Sequence, residues 1–374
     1  MSEYRVYELA EVCSRLSSGK GIPASKVTPE GNYPVYGGNG LRGYTEQSNF
    51  SGDCAIIGRQ GAFCGNVRYF SGEAYMTEHA VVVCATPEHN TRYLAYLLST
   101  MNLGRLSGQS AQPGLSVKTL GKQQISLPTL DTQNRVASIL ARLDEKIELN
   151  NHINENLEQQ AQAYFHELFI VNADPDWKLG TISNLGNVVG GSTPSKSKPE
   201  YYTEKGIAWI TPKDLSINKS KFVSRGENDI TELGLKNSSA SIMPEGTVLF
   251  SSRAPIGYIA IASGEVTTNQ GFKSVVPNPE IGTAFVYFFL KQNLPVIEGM
   301  ASGSTFKEVS GSTMKNIPAT IPDAETIKKF NEFCLPVFEQ QRILEAQNQS
   351  LVSLRDSLLP KLMSGEIDLS EIQF

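Results

Sequence analysis

Long apolar runs are missing from this 374-residue chain; the longest, residues 284–290, falls far short of the roughly 20 residues that span a bilayer. The opening MSEYRVYELAEV is polar and charged, with no signal-peptide pattern. Cysteine is sparse: the five present are scattered and odd in number, which fits a reducing cytoplasm better than a disulfide framework. No membrane association is expected. A strong excess of either charge is missing too. The net charge of −5 speaks against a protein that grips nucleic acid by itself.

Catalytic signatures are also lacking. Ser18-Gly19-Lys20 has neither the upstream glycine nor the following Ser/Thr of a phosphate loop. Cys54, Cys64, His79 and Cys84 are spaced unlike zinc ligands, and the cysteines read as strand-borne core residues, so no metal is expected. Cys13 has no neighbouring base to activate it. His152 and His166 fall on a long helix, as surface or interface groups. The stretch PDAETIKK (322–329) lacks nuclease metal-site spacing and reads as a helix start with early acids. The GNGLRG run at 38–43 fits a dinucleotide-binding glycine pattern. However, it leads into YTEQSNFSGDC, which is not helical, and no acid follows at the required distance. No methyltransferase tetrapeptide is visible. The chain reads as non-catalytic.

What is present is a design written twice. LAEVCSRLSSGKGIP (9–23) parallels LGTISNLGNVVGGSTP (179–194). GDCAIIGR (52–59) matches GTVLFSSR (246–253), and TRYLAYLL (91–98) matches TAFVYFFL (283–290). Each copy ends in a long helix. Domains are expected at 1–130, 131–170 (first helix), 171–322, and 323–374 (second helix and tail). Within each module, short strands are expected at 55–58 and 80–84, and at 248–251, 258–262 and 272–276. A helix is expected at 91–101 and at 283–292, and polar loops at 107–116 and 302–310. Acid concentrates on the helices: residues 131–170 and 323–374 each carry four more acidic than basic groups, and the modules are near neutral.

The first helix is expected over 131–169, a rod of about 57 Å at ~1.5 Å per residue. Alternate steps of four and three trace a coiled-coil seam through Val136, Leu140, Leu143, Ile147, Asn150, Asn154, Leu157, Ala161, Tyr164 and Leu168. The second seam runs Phe330, Cys334, Val337, Gln341, Leu344, Asn348, Leu351, Arg355, Leu358 and Leu362. Pro336 is expected to break the second rod near Leu335, with the main helix starting around Val337 and ending by Pro360. The expected fold class is α+β: two mixed α/β modules separated by two long helices that can pair as an antiparallel coiled coil, in a pseudo-twofold internal repeat.

Polar loops bearing aromatics supply the residue types of recognition. They lie at 36–44 and 59–69 in the first module, and at 209–214, 253–258 and 267–273 in the second. Arginine reads guanine, and Asn or Gln reads adenine, through paired hydrogen bonds. The candidate DNA contacts are Tyr36, Asn39, Arg42, Arg59, Asn66 and Arg68, then Lys213, Asp214, Arg253, Asn269, Gln270 and Lys307. The plain alternative is solvated loops. Arg59 and Arg253 align across the repeat, either as base readers or as arginines buried for the fold.

These segments resemble the specificity subunit of type I restriction–modification enzymes (HsdS). GGSTPS (190–195), WITPKDL (209–215), TNQGFKS (268–274), SGSTFKEVS (302–310) and SLLPKLMSGEIDL (357–369) carry the resemblance, with YGGNGLRGY (36–44) and IIGRQGAFCGNV (56–67) in the first module. It covers essentially the whole chain, which departs from a clean second seam at Pro336, Gln341 and Arg355. The resemblance implies two target-recognition domains, each reading half of a bipartite double-stranded DNA site, with the helices as a ruler. It implies two methyltransferase (modification) subunits docked on the helices and restriction/translocase subunits beyond them. S-adenosylmethionine, ATP and Mg are then expected only on those partners. Two rivals remain: a two-headed interaction scaffold without DNA specificity, and a dinucleotide-dependent enzyme resting on residues 38–43.

Polar residues at seam positions fix helix register. Replacing Asn154 and Asn348 with Leu together is therefore expected to hold or raise stability while loosening the gap between half-sites. An unchanged gap in a methylation map would contradict this.

Overall fold

The computed structural model describes residues 4–107, 114–303 and 307–367. Parts of the expected polar loops at 107–116 and 302–310, and the tail at 368–369, lie outside the described residues. In chain order, the first module has strands β1 (Arg5–Glu8), β2 (Cys13–Ser18), β3 (Tyr33–Gly37), β4 (Gly40–Thr45), β5 (Phe50–Gly58), β6 (Val67–Met76) and β7 (Ala80–Ala85). Helices α1 (Thr91–Thr100) and α2 (Val117–Gly121), strand β8 (Gln124–Leu127) and the long helix α3 (Leu130–His166) follow. The second module opens with β9 (Lys178–Thr181), α4 (Ile182–Leu185) and β10 (Gly186–Gly190). An inserted lobe contains β11 (Tyr202–Thr203), β12 (Ile207–Ile210), α5 (Pro212–Ile217), β14 (Asn228–Ile230) and α6 (Glu232–Lys236), interrupted by β13 (Phe222–Val223), which joins the main sheet. Then come β15 (Val248–Ser252), β16 (Ile256–Ala262), β17 (Thr267–Thr268), β18 (Lys273–Pro277), α7 (Thr283–Gln292), α8 (Leu294–Gly299), α9 (Gly311–Lys315), β19 (Pro318–Ile321) and the long helix α10 (Ala324–Ser364).

The repeat is a repeat of topology. The first module's sheet runs β2-β7-β5-β6-β3-β4 and the second's runs β10-β18-β15-β16-β13. In both, the first four strands are antiparallel and the next strand joins in parallel, β3 on β6 and β13 on β16. A two-stranded ribbon, β1 with β8 or β9 with β19, accompanies each sheet. The modules differ beyond that frame. The first continues into the β3–β4 hairpin, and the second adds a four-stranded sheet, β11-β14-β12-β17. The glycine run at 38–43 therefore turns a hairpin into strand β4, with no helix opening from it.

Register corrects the sequence alignment by one residue. Ala55 pairs with Val83 as Val248 pairs with Val275, and Ile57 pairs with Val67 as Phe250 pairs with Ile259. Ala55 and Ile57 face the cluster shared with α1, and Val248 and Phe250 face the one shared with α7. A slip of one residue would turn every side chain to the opposite face. The backbone counterpart of Arg59 is thus Ser252, not Arg253. The Arg59 N–H donates to the His79 carbonyl (3.0 Å) and the Arg59 carbonyl accepts from Leu115 (2.8 Å). Ser252 does the same with Gly271 (2.7 Å) and Val309 (3.0 Å).

The chain divides into two compact units: Met1–Ile147 with Ser350–Phe374, and Glu148–Gln349. These units divide inside the long helices, so each holds one module and a stretch of both. In the first, Val136 and Leu140 of α3 and Leu362 and Met363 of α10 are buried in the module's core. In the second, Ala161 and Phe165 of α3 and Phe330 and Cys334 of α10 are buried among the aromatics of α7. Within each unit the helix stretches run antiparallel. Asp144 meets Arg355 in the first (2.9 Å); Asn150 meets Asn348 (2.9 Å), and Gln341 donates to the Asn154 carbonyl (3.0 Å), in the second. The expected seam positions are buried or half-buried, and its polar members bond across the helix pair, although the side-chain oxygens of Asn150 and Asn154 are buried without a hydrogen-bond partner.

Helix ends follow local chemistry. Asp323 caps α10, accepting from the Thr326 N–H (2.9 Å) and hydroxyl (2.8 Å); these bonds hold its carboxyl below the usual range. The expected break at Pro336 does not occur: α10 runs unbroken through it and through Pro360 to Ser364, and Gly365 (φ +75°) stops it. Proline removes a hydrogen bond to the carbonyl four residues earlier. Here Glu332, Leu335 and Pro336 lie on the exposed face, and buried Phe330 and Cys334 hold the helix from the other side. At its other end, α3 closes in a π-helical turn at Glu167–Val171. Pro336→Ala is expected to raise unfolding free energy by up to about 3 kcal/mol in chemical denaturation. A loss of stability would mean that the proline shapes the helix.

Candidate nucleic-acid interface

In the first module the candidate residues gather around the β3–β4 hairpin tip. Gly40 has φ +96°, and a side chain there would stand 3.2 Å from the Arg68 guanidinium carbon. One at Gly37 would stand 2.7 Å from Arg42 Cδ. Asn39, Arg42, Asn66 and Arg68 are exposed, and Tyr36 and Arg59 are half-buried. The Tyr36 ring packs 5.0 Å from that of Phe70, which fixes its base on the sheet. Asn66 and Arg68 line a hollow of about 550 Å³ with Thr100 and Asn102. Two neighbours are not among the expected contacts: Gln60 and His79, joined at 3.0 Å, with His79 also 3.2 Å from Glu78. Gln60 sat in a quoted segment, but nothing in the sequence brings residue 79 beside residue 60.

The second module builds the equivalent place from three separated segments. Gly191 packs on the turn after β17 so closely that a Cβ would lie 1.9 Å from the Asn269 carbonyl oxygen. Gly19 occupies the corresponding place in the first module, 2.1 Å from the Met76 oxygen. The Trp209 indole donates to the Ser192 carbonyl (3.0 Å), Asn269 N–H to the Ile210 carbonyl (3.0 Å), and Thr193 bonds the Gln270 side chain. Residues 190–195, 209–214 and 268–274 thus form one surface. Gln270 and Lys307 are exposed there. Arg253 is half-buried and 3.5 Å from Glu308, which also lies 3.4 Å from Lys273. Ser192, Thr193 and Glu308 were not among the expected contacts, although all three lie in motifs that the sequence singled out.

Two expected contacts have structural duties. One Asp214 oxygen accepts from the Thr211 N–H (2.7 Å) and hydroxyl (2.6 Å), completing the cap of α5; the other accepts from the Glu227 N–H (2.8 Å). The Asn269 side chain accepts from Gly271 (2.8 Å) and shapes its own turn. Lys213 is paired with Glu227 (2.6 Å), which raises its pKa.

Residues 1–159 and 175–351 match the family model described as the type I restriction modification DNA specificity domain. The chain belongs to that family. Among curated relatives of this DNA-specificity family, the MjaIX specificity subunit of Methanocaldococcus jannaschii is 41% identical over 167 residues, covering 44% of this chain and 38% of that protein. The HindI specificity subunit of Haemophilus influenzae is 24% identical over 330 residues, covering 68% and 71%. The EcoprrI subunit of Escherichia coli is 43% identical over 123 residues, covering 33% and 30%. The match thus spans well under half the length of two of these three. A crystal structure of the type I S subunit from M. genitalium shares the fold, with a TM-score of 0.64 at 18% identity and 96% of each chain covered. No helix among the described residues is long and apolar enough to cross a membrane.

Asp214→Ala is expected to lower unfolding free energy by about 0.5–2 kcal/mol through loss of the cap. Lys213→Ala should leave the denaturation midpoint unchanged. Equal effects from the two would contradict the capping assignment.

Proposed function

We propose that the chain is the non-catalytic sequence-specificity subunit of a type I restriction–modification enzyme. Each module reads one half of a bipartite double-stranded DNA site, and the long helices set the unread gap. The observation that carries this reading is the repeat itself. One backbone frame brings Gly19 and Gly191, and Arg59 and Ser252, to equivalent places, and surrounds them with different polar side chains. A shared frame with unlike edges suits two unlike half-sites. Direct readout falls to exposed Asn39, Arg42, Asn66 and Arg68 in the first module and to Gln270, Arg253 and Lys307 in the second. Near-neutral modules leave much of the phosphate grip to partner subunits.

On this reading two methyltransferase subunits dock on the helices and bring S-adenosylmethionine and base flipping. Restriction/translocase subunits add ATP- and Mg-dependent steps, and the assembly works in the cytoplasm. The chain itself needs no cofactor.

Exchanging residues 1–130 for the same module of another specificity subunit tests the reading, with the methyltransferase partner present and methylated sites mapped. One half of the recognised sequence should change, and the other half should stay. A change in both halves, or in neither, would refute it, and absence of any sequence-specific DNA complex would favour an interaction scaffold.

A further inference from the structure

Lys221 stands where the inserted lobe of the second module returns to the main sheet, between α5 and β13. It is only 8% exposed, a rare situation for lysine. Its ammonium pairs with the Glu158 carboxylate of α3 and donates to the Gln341 side chain of α10 (2.6 Å). Aromatic rings close over it, Phe338 at 4.3 Å and Tyr287 at 4.8 Å. The backbone N–H groups of Lys221 and Phe222 donate to the two oxygens of Glu345, also on α10 (2.8 and 3.2 Å). Glu158 is further held by Lys291 and by the Tyr287 hydroxyl (3.1 Å).

Two lysines and two carboxylates balance in this cluster, so no net charge is left buried. A buried ion network of this kind contributes little net stability, because desolvation offsets most of the attraction. Its distinctive property is dependence on its partners: a displacement that strips the buried ammonium or carboxylate of its partner leaves an uncompensated charge, which is strongly destabilising. A greasy contact between lobe and helices would slide; this one has a single arrangement. The pairs run to both long helices from residues 221–222, where the lobe's chain joins the main sheet as β13 and the Lys221 carbonyl accepts from Ile261 of β16 (2.7 Å). The same segment follows directly on α5, whose cap and flanking motif form part of the recognition surface.

We propose that Lys221 is a positioning residue, which through Glu158, Gln341 and Glu345 fixes the angle at which the second recognition lobe is held on the two long helices. That angle determines where the second half-site must lie along the DNA, and so the gap length the protein accepts. This rests on the specificity-subunit reading above.

The test uses the full chain with its methyltransferase partner and S-adenosylmethionine. Substrates are duplexes carrying the mapped site with its natural gap, or with a gap one base pair shorter or longer, a change that also rotates the half-site around the helix. Lys221→Met keeps the aromatic cage filled and leaves Glu158 its partner Lys291. It should reduce discrimination between natural and altered gaps by about tenfold, while selectivity at the first half-site is unchanged. A folded variant with undiminished gap discrimination would overturn the proposal, as would an equal loss of methylation at every gap length. Should Lys221→Met fail to fold, Glu345→Gln, which removes one acceptor for the paired backbone N–H groups, carries the same test with the same outcomes. Wild-type complex that methylates no split site would overturn the specificity-subunit reading, and the proposal with it, before any variant is compared.

Discussion

The structure depends on helices shared with the modules' cores. Phe165, at 2% exposure, packs against Phe169, Phe285, Phe288 and Phe330, rings drawn from both long helices and from α7. Burying one such ring contributes about 1.5–3 kcal/mol, so this cluster alone gives the helices a firm seat. In the first module Val136, Leu140, Leu362 and Met363 have the same part with α1 and β5. Neither sheet closes its helix-side core without residues from both rods. Helices built into a module's core hold it at a defined attitude, as a tethered linker could not.

Duplication then gives one frame two readings. Main-chain bonds, which do not depend on side-chain identity, carry the equivalence: Gly19 N–H to Ala80 and Gly191 N–H to Phe272, Lys20 to Met76 and Ser192 to Thr268. Freed from that duty, the side chains at the edge diverge. The first module surrounds its hairpin with Arg42 and Arg68. The second brings in a lobe containing Trp209 and sets Glu308 beside both Arg253 and Lys273, leaving one positive charge in excess. Divergence at the rim with constancy beneath suits a recognition element.

Much of this was legible in the sequence. Short β-rich runs between glycine turns became β5, β7, β15, β16 and β18, and the apolar segments at 91 and 283 became α1 and α7 within a residue or so. The seam positions could be picked out because coiled-coil spacing is a strong periodic signal. Pro336 was misjudged because a local rule gave way to packing on the opposite helix face. The pairing of Arg59 with Arg253 misled because matching letters ignore which face of a strand a residue occupies. Asp214 resembled a base reader; its neighbours Thr211 and Glu227 make it a cap, a fact set by three-dimensional proximity. Lys221 carried no sequence signal at all, since its partners come from residues 158, 341 and 345.

The central claim is that this chain confers a split DNA specificity on a methyltransferase. Single-molecule methylation sequencing of otherwise identical cells with and without its gene tests that most directly. The account predicts one bipartite motif, two short specified halves around a fixed unspecified gap, present with the gene and lost on its deletion. A methylome unchanged by the deletion, in cells that express the chain and its methyltransferase partner, would contradict it.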